Sequence, residues 1–153
     1  MNYWIFKSEP DVYGIDHLAA EPGQTTRWDG IRNYQARNNL RDRIRPGDRV
    51  LFYHSSCKNI GMAGSMEIVS AAYADPSQYD PDSEYFDARA TPGEPRWYCV
   101  DVKLIEKFSA VIPTRLLKTN PATSDLSIFS QGRLSIAPLS ATQWKAIHRL
   151  QAS

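Results

Sequence analysis

The sequence predicts an α+β fold in which a small curled mixed sheet or open barrel of five to six strands is flanked by short helices. Apolar residues follow strand-like patterns in five or six short segments. The helical patterns do not alternate regularly with these strands, as they would in a parallel βαβ sheet. Because many short strands leave many edges, a curled sheet or an open barrel is expected to hide them. The length of 153 residues indicates a single domain over residues 1–153.

The chain is expected to begin with a strand, a short helix and a second strand. Residues 3–7 alternate aromatic and aliphatic side chains, which is typical of a buried strand. Residues 15–20 favour a short helix, and residues 24–28 are again strand-like. Asp29-Gly30 follows directly and is a common turn dipeptide.

A second helix is predicted after this turn. Asn33 is a suitable N-cap for a helix that runs to about Ile44. Ala36 and Leu40 lie on the same face as Ile44, which indicates that this face packs against the core. A strand over residues 49–54 follows the helix.

The middle of the chain is predicted to hold two strands and a long loop. Gly61 and Gly64 interrupt the strand over residues 60–72, where they allow a bulge or the close approach of another chain segment. Residues 75–95 carry four Pro and a cluster of acids, which favours a long solvated loop. Residues 97–105 give a strong strand pattern that continues irregularly to residue 112.

The C-terminal part of the chain is expected to end in a helix. A short helix or turn is predicted over residues 113–117, and a short strand over residues 133–137. Between them, residues 118–132 are weakly patterned. Ser140 and Gln143 form a capping box, and Trp144, Ile147 and Leu150 follow on one helical face.

The composition excludes several classes of protein. No apolar run reaches the length of a membrane span, and no signal peptide is expected at the N-terminus, so no membrane partner is predicted. Cys57 and Cys99 are too few for a disulfide framework. Reduced thiols are typical of the cytosol and the nucleus, and of these a cytoplasmic location is the expectation.

The net charge of +1 conceals two regions of opposite sign. Residues 27–58 contain seven Arg and one Lys against three Asp, whereas residues 75–94 contain four Asp and two Glu against one Arg. The basic region is consistent with a binding surface for an anion. It is equally consistent with a solvated helix face.

Catalytic and metal sites have weak support in the sequence. His54 is followed by Ser55, Ser56 and Cys57, but neighbours on a strand point to opposite faces, and no G-x-S-x-G motif is present. The three His lie far apart, the two Cys form no C-x-x-C pair, and neither a P-loop nor a G-x-G-x-x-G motif occurs. No metal or cofactor is therefore expected. The remaining enzymatic alternative acts on a nucleic acid or a small metabolite through Ser8, Glu9, His54 or Cys57.

One window combines the side chains that recognise nucleic acids. Residues 28–41 contain one Trp, one Tyr, three Arg and three Asn. An aromatic ring stacks on a base, Asn hydrogen-bonds to a base edge, and Arg neutralises phosphate. Polar segments also lie at the ends of the first and third strands, at residues 7–10 and 53–55. Because strand ends converge at one rim of a compact sheet, the three segments are expected to line a common pocket.

The chain resembles the EVE domain family, a branch of the PUA-like superfamily. The resemblance rests on Tyr3-Trp4 with Lys7-Ser8-Glu9-Pro10, on residues 28–38 and on Phe52-Tyr53-His54-Ser55. It continues through Gly61, Gly64, the strand over residues 97–102 and residues 133–139. These motifs occur in family order over nearly the whole chain.

The resemblance implies a PUA-like fold and a pocket that accepts a modified nucleobase of DNA or RNA, as in the related YTH domains, without catalysis. In this chain, Trp28 is the expected stacking wall, although a place in the core fits it too. Asn33 is also an expected pocket residue, and its role as the N-cap of a helix is the competing explanation. The other expected pocket residues are Ser8, Tyr34, Asn38, Tyr53, His54 and Ser55. The expected phosphate contacts are Lys7, Arg37, Arg41 and Arg133.

Overall fold

Seven strands form one open mixed sheet in the computed structural model, which describes residues 1–152. The strands are β1 (Tyr3–Ser8), β2 (Thr25–Trp28), β3 (Arg49–His54), β4 (Gly61–Ile68), β5 (Tyr73–Ala74), β6 (Tyr98–Pro113) and β7 (Ile136–Leu139). Their order is β2-β6-β4-β3-β1-β7, and the two-residue β5 also pairs with β6. The predicted α+β class and mixed sheet are confirmed. The strand count is seven because the segment predicted over residues 60–72 ends at Ile68, and β5 follows separately.

The pairing of β1 with β3 brings together two strand ends that the site uses. These two strands are parallel, with Ser8 opposite His54, whereas the other pairs are antiparallel. The connection between them carries the first helices and β2, as a parallel crossover requires. Trp28 ends β2 opposite Val100 of β6, so β2 forms one edge of the sheet.

Six short helices flank the sheet. They are α1 (Pro10–Tyr13), α2 (Ile15–Ala20), α3 (Tyr34–Asn38), α4 (Thr114–Thr119), α5 (Ser127–Ser130) and α6 (Ala141–Ala152). The capping box of α6 is confirmed: the Gln143 amide N–H donates to Ser140 Oγ at 3.1 Å, and the Ser140 amide N–H donates to Gln143 Oε1 at 2.8 Å. None of the helices within the described residues is long and apolar enough to cross a membrane.

The helix predicted from Asn33 changes its geometry halfway. Asn33 is confirmed as N-cap, since its Oδ1 accepts from the Ala36 N–H at 2.9 Å. After α3 the chain continues as a π-helical turn over Asn39–Arg43, in which the Ile44 N–H donates to the Asn39 carbonyl. Ala36, Leu40 and Ile44 are all buried, as their spacing predicts.

A bulge in β4 depends on a residue without a side chain. The pairing of β4 with β6 shifts between Met62 and Gly64. A Cβ at Gly64 would collide with the Glu106 carbonyl oxygen and with the Ile15 side chain. The close approach predicted for this glycine is confirmed, and it lets α2 pack on the sheet.

The segment between β5 and β6 is an ordered loop, which we call the 75–97 loop. Gln78 is fully buried at its centre: its Nε2 donates to the carbonyls of Asp75 and Trp97, and its Oε1 accepts from the amides of Arg96 and Trp97. The expectation of a merely solvating acidic loop is wrong for Asp75, which is 0% exposed. Its carboxylate anchors this loop to the site described next.

Candidate functional site

A cavity of about 560 Å³ opens at the ends of β1 and β2. The strand ends and α1 contribute Lys7, Ser8, Glu9, Val12, Tyr13, Arg27 and Trp28 to its lining. The irregular segment after β2 contributes residues 29–33, the 75–97 loop contributes Glu84 and Tyr85, and Ser135 lies before β7. The turn predicted at Asp29-Gly30 is not formed. Two of the three polar segments expected to meet do line this cavity. Its volume is within the range of small-molecule pockets.

Trp28 belongs both to the core and to the wall of the cavity. Its indole is only 7% exposed and contacts Phe6 and Phe52 at centroid distances of 5.4 and 5.2 Å. The Tyr13 ring stands perpendicular to it at 6.1 Å and lines the same cavity. The surrounding rings hold the indole in place, so it offers a rigid apolar surface to a ligand.

The segment after β2 lets a third aromatic ring close the cavity. Gly30 has φ +77°, a conformation that glycine adopts readily. A Cβ at this position would lie 2.7 Å from the Tyr85 ring. Gly30 therefore allows Tyr85 of the 75–97 loop to pack directly on this segment.

Arg32 attaches the 75–97 loop to the segment after β2. Its guanidinium donates to Asp75 Oδ2 at 3.1 Å, to Ser77 Oγ at 3.1 Å and to the Tyr85 carbonyl at 2.8 and 3.1 Å. The fifth N–H donates to the Ile31 carbonyl, so all five donors are used. Arg32 thus fixes the position of Tyr85 and is not free to bind phosphate.

The Asp75 carboxylate receives enough hydrogen bonds to remain charged in the interior. Burial by itself would raise its pKa. Hydrogen bonds from Ser77, from the Gly30 N–H and from Arg32 outweigh burial and lower the pKa below its ordinary value. The loop is therefore anchored by a charge-assisted network at neutral pH.

Three polar side chains at the cavity retain unused hydrogen-bonding capacity. The Asn33 oxygen caps α3, while its amide nitrogen has no partner among residues 1–152. Ser8 Oγ donates to the Tyr13 carbonyl at 2.7 Å, which leaves its lone pairs as acceptors. Lys7 Nζ donates to the Gly132 carbonyl at 2.9 Å, and burial lowers the pKa of this ammonium group.

The lining of the cavity has no surplus of either charge. Its acids and bases are equal in number: Glu9, Asp29 and Glu84 against Lys7, Arg27 and Arg32. Arg27 Nε pairs with Asp29 Oδ2 at 3.0 Å, which neutralises two of the six. Such a lining suits a neutral, flat, polar-edged ligand better than a phosphate group.

The third polar segment, residues 53–55, does not line the cavity. Tyr53 is buried, and its hydroxyl bonds to Thr114 Oγ1 of α4 at 3.0 Å. His54 Nε2 accepts from the Ile15 N–H at 3.1 Å, so the start of α2 covers it. The Ser55 amide extends the pairing of β3 with β1 by donating to the Ser8 carbonyl. The strand ends converge as expected, but Tyr53 bonds to α4 and His54 to α2, and none of the three residues lines the cavity.

Tyr34, Arg37 and Asn38 lie on α3 outside the cavity lining. Tyr34 is 45% exposed and stacks on Trp97 at 4.9 Å. Arg37 lies 4.8 Å from the Tyr34 ring centre, and the Asn38 side-chain oxygen accepts from its guanidinium at 2.9 and 3.1 Å. The helix that Asn33 caps carries these three side chains away from Trp28.

The last two expected phosphate contacts also lie outside the lining. Arg41 is exposed and pairs with its neighbour Asp42 at 2.7 Å. Arg133 is exposed in the segment before β7. Of the four expected cations, only Lys7 lines the cavity.

Several lining residues were absent from the sequence-based prediction. Tyr13 and Tyr85 come from segments without a recognisable motif, whereas Ser135 lies in the motif over residues 133–139 but was not selected. The cluster of acids in the 75–97 loop was visible in the sequence, but only the structure shows that Asp75 is buried and needs a basic partner. Nothing local identified Arg32 as that partner.

The residues of the enzymatic alternative do not form a nucleophile–base pair. Ser8 donates to a backbone carbonyl, and the His54 nitrogen that would act as base accepts from Ile15. Burial lowers the pKa of His54, although Asp16 opposes the shift. Glu9 lines the cavity, whereas Cys57 does not. Among residues 1–152 no three His, Cys, Asp or Glu side chains are grouped to hold a metal ion.

Comparison with known proteins identifies relatives along the whole chain. The sequence model of the EVE domain matches residues 2–150. Thymocyte nuclear protein 1 of Mus musculus is 37% identical over 167 residues, which cover 98% of this chain and 74% of the relative. The expectation of a cytoplasmic location is overturned by this name, since the relative is a nuclear protein, and reduced thiols do not distinguish the two compartments.

Two solved structures are informative for the fold and the site. The human THYN1 protein in complex with DNA containing 5-methylcytosine has a TM-score of 0.94 and 36% identity, covering 100% of this chain and 99% of that chain. The YTH domain of Zygosaccharomyces rouxii MRB1, solved with N6-methyladenosine RNA, has a TM-score of 0.55 and 16% identity, covering 98% of this chain and 86% of that chain. The second likeness concerns the fold alone.

Proposed function

This chain belongs to the EVE domain family, and on that premise we propose that it binds a modified nucleobase of a nucleic acid in the cavity beside Trp28, without catalysing a reaction. The observation that carries the proposal is the cavity itself, which has rigid aromatic walls and no net charge. The DNA complex of the human relative supports the same ligand class.

The geometry supports a base that enters the cavity as an unpaired ring. Trp28, Tyr13 and Tyr85 offer aromatic surface, and each stacked base contributes about 1–3 kcal/mol. The Asn33 amide donates to the base edge, and Ser8 accepts from it. A base within a duplex hides its face, so it is taken from a single strand or flipped out at a cost of a few kcal/mol.

Basic side chains around the cavity are proposed to hold the backbone. Lys7 lines the cavity, and Arg37 lies one helical turn beyond the lining residue Asn33. Arg41 and Arg133 are exposed outside the lining. Tyr34 and Asn38 are proposed to belong to this outer group, because both contact the Arg37 guanidinium. Tyr53, His54 and Ser55 are proposed to support the neighbouring strand ends, without touching the base.

A titration with matched oligonucleotides tests the proposal. The ligands are single-stranded DNA with one central 5-methylcytosine, the unmodified strand, and the corresponding RNA pair, each followed by fluorescence anisotropy. Tighter binding of a methylated strand is expected. Equal affinity for the methylated and unmodified strands, or no binding of either, contradicts the proposal.

A matched pair of variants locates the binding site. Trp28→Leu keeps apolar bulk but removes the aromatic face, so methylated DNA is expected to bind more weakly by at least about 1 kcal/mol. Trp144→Leu on α6 is the control, since this indole stacks on Tyr3, away from the cavity. Thermal unfolding of both variants verifies that they are folded. Unchanged binding by folded Trp28→Leu excludes the indole as the stacking wall.

Incubation with methylated DNA separates binding from catalysis. The nucleosides are analysed by mass spectrometry after prolonged contact with excess protein. Unchanged nucleosides are expected, because Ser8 and His54 do not pair with each other. A product that disappears in His54→Ala would favour the enzymatic alternative.

A further inference from the structure

We propose that a second surface, centred on the exposed ring of Tyr34, holds the nucleotide next to the base in the cavity. We call it the Tyr34 platform and define it as Tyr34, Trp97, Arg37 and Arg96. The inference rests on the proposed function, and it makes a nucleic-acid strand, rather than a free base, the ligand.

The Tyr34 ring is exposed and yet rigid. It is 45% exposed, and it stacks on the buried Trp97 with a centroid distance of 4.9 Å and an angle of 26° between the planes. Trp97 is fixed in turn, because its Nε1 donates to Asp87 Oδ2 at 2.9 Å. An ordered aromatic surface loses little entropy when a second ring stacks on it.

Two guanidinium groups lie over this ring, so a flanking base stacks on the ring together with the neighbouring cations. Arg37 and Arg96 lie 4.8 and 5.8 Å from its centre, and Arg96 also donates to the Tyr34 hydroxyl. Arg96 is paired with Asp87, but Arg37 forms no ion pair within residues 1–152. The Arg96 carbonyl and the Asn38 oxygen hold Arg37 in position. A fixed cation without a carboxylate partner is suited to a phosphate.

The platform adjoins the cavity across a shared wall of side chains. Arg32, Glu84 and Tyr85 line the cavity on one side and a shallower hollow of about 350 Å³ on the other. Trp97 forms part of this hollow and carries Tyr34. A strand whose base occupies the cavity therefore reaches the platform by crossing a single wall of side chains.

The chemistry of the platform favours a nucleotide over a protein partner. An aromatic face beside cations is the arrangement by which proteins bind single strands without reading their sequence. We therefore expect the platform to increase affinity for any flanking base and to leave the preference for the modified base unchanged.

The test compares a ligand that fills only the cavity with one that extends beyond it. The short ligand is 5-methyl-2′-deoxycytidine 5′-monophosphate, and the long one is a single-stranded heptamer with 5-methylcytosine at its centre. Isothermal titration is expected to show tighter binding of the heptamer by the wild-type protein. Tyr34→Ala is expected to weaken heptamer binding at least about fivefold and to leave monophosphate binding unchanged.

Two further variants distinguish stacking from other effects. Tyr34→Phe keeps the ring and is expected to bind the heptamer as the wild-type protein does. Arg37→Ala is expected to weaken heptamer binding and to reduce the slope of log K against log[salt] by about 1. Arg149→Ala on α6 is the control, since it removes an exposed charge and is expected to leave heptamer binding unchanged.

The outcomes separate the two proposals. If Tyr34→Ala binds the heptamer as tightly as the wild-type protein, while the preference for the methylated strand persists, the result contradicts the platform proposal. The proposed function of the cavity then stands. If the wild-type protein binds methylated and unmodified heptamers equally, or binds neither, both proposals fail.

Discussion

Asn33 serves the fold and the candidate site with different atoms of one amide. Its oxygen accepts from the Ala36 N–H and caps α3, and its nitrogen is left without a partner among residues 1–152. The same division is seen in Trp28, which packs on Phe6 and Phe52 and also lines the cavity. A structural role and a binding role are therefore compatible in both residues.

Asn33→Ser separates the two roles. Ser is as good an N-cap as Asn, so thermal stability is expected to remain close to that of the wild-type protein. The amide donor is lost, and binding of methylated DNA is expected to weaken by about 0.5–1.5 kcal/mol, the contribution of one neutral hydrogen bond. Asn33→Ala is the comparison, since it also loses the cap and about 1 kcal/mol of stability. Wild-type affinity in Asn33→Ser would rule out the amide as a ligand contact.

The 75–97 loop depends on one arginine for its position over the cavity. Arg32 bonds to Asp75, Ser77 and Tyr85, and it lies between the rings of Tyr85 and Trp97 at 5.4 and 5.3 Å. A planar group with five donors is needed for this arrangement. The loop is thus an ordered wall of the site, although its composition is that of a solvated loop.

Arg32→Lys is expected to loosen the loop. Lysine cannot reach all the acceptors at once, so the free energy of unfolding in urea should fall by about 1–3 kcal/mol. Hydrogen exchange of the loop amides should accelerate relative to β3 and β4. Arg49→Lys is the control, because its surface pair with Glu67 at 3.2 Å contributes little. Equal stability of the two variants would contradict the anchoring role of Arg32.

The junction of β3 with α2 is sensitive to pH. His54 Nε2 accepts from the Ile15 N–H, and burial lowers the pKa of His54 below its ordinary value of 6.5, against the opposing effect of Asp16. The unfolded chain therefore takes up this proton more readily than the folded protein. The stabilising contribution is present above pH 6.5 and is lost as the pH falls through 6.5 toward the lowered folded pKa.

His54→Gln is expected to reduce this dependence, since the Gln oxygen also accepts from Ile15 but does not titrate. The measurement is the unfolding temperature of both proteins between pH 8 and pH 5, and the difference between them should grow below pH 6.5. Parallel curves for the two proteins would show that His54 does not titrate on unfolding.

Over the whole molecule, four of the eight basic residues in 27–58 form ion pairs within residues 1–152, Arg32 with Asp75 among them. Arg27 pairs with Asp29, Arg41 with Asp42, and Arg49 with Glu67. Arg43 lies over the Trp4 ring at 5.2 Å. The two cations of this region that line the cavity, Arg27 and Arg32, are both paired, so the charge surplus seen in the sequence is not focused there.

Binding of single-stranded DNA is expected to depend weakly on salt. Four phosphate contacts, from Lys7, Arg37, Arg41 and Arg133, would give a slope of log K against log[salt] no steeper than about −3. Affinity should accordingly be modest and dominated by the base. Titrations between low and moderate salt measure the slope, and a value beyond about −6 would indicate an extended phosphate-binding surface.

The sequence predicted several residues of the site, but it did not predict how these side chains are arranged in space. Ser8, Trp28 and Asn33 were expected at the cavity and do line it, together with Lys7. His54 was expected there because its strand ends at the same rim, but α2 covers it. Tyr34 follows Asn33 directly, yet the helix turns it toward Trp97.

The sequence by itself determined the features that depend on neighbours along the chain. These are the period of the strands, the Asn33 cap and the Ser140 capping box. Only the tertiary structure decided which side chains face the cavity. That outcome depends on contacts such as Arg32 with Asp75, which are 43 residues apart, and local patterns carry no information about pairs at such separations.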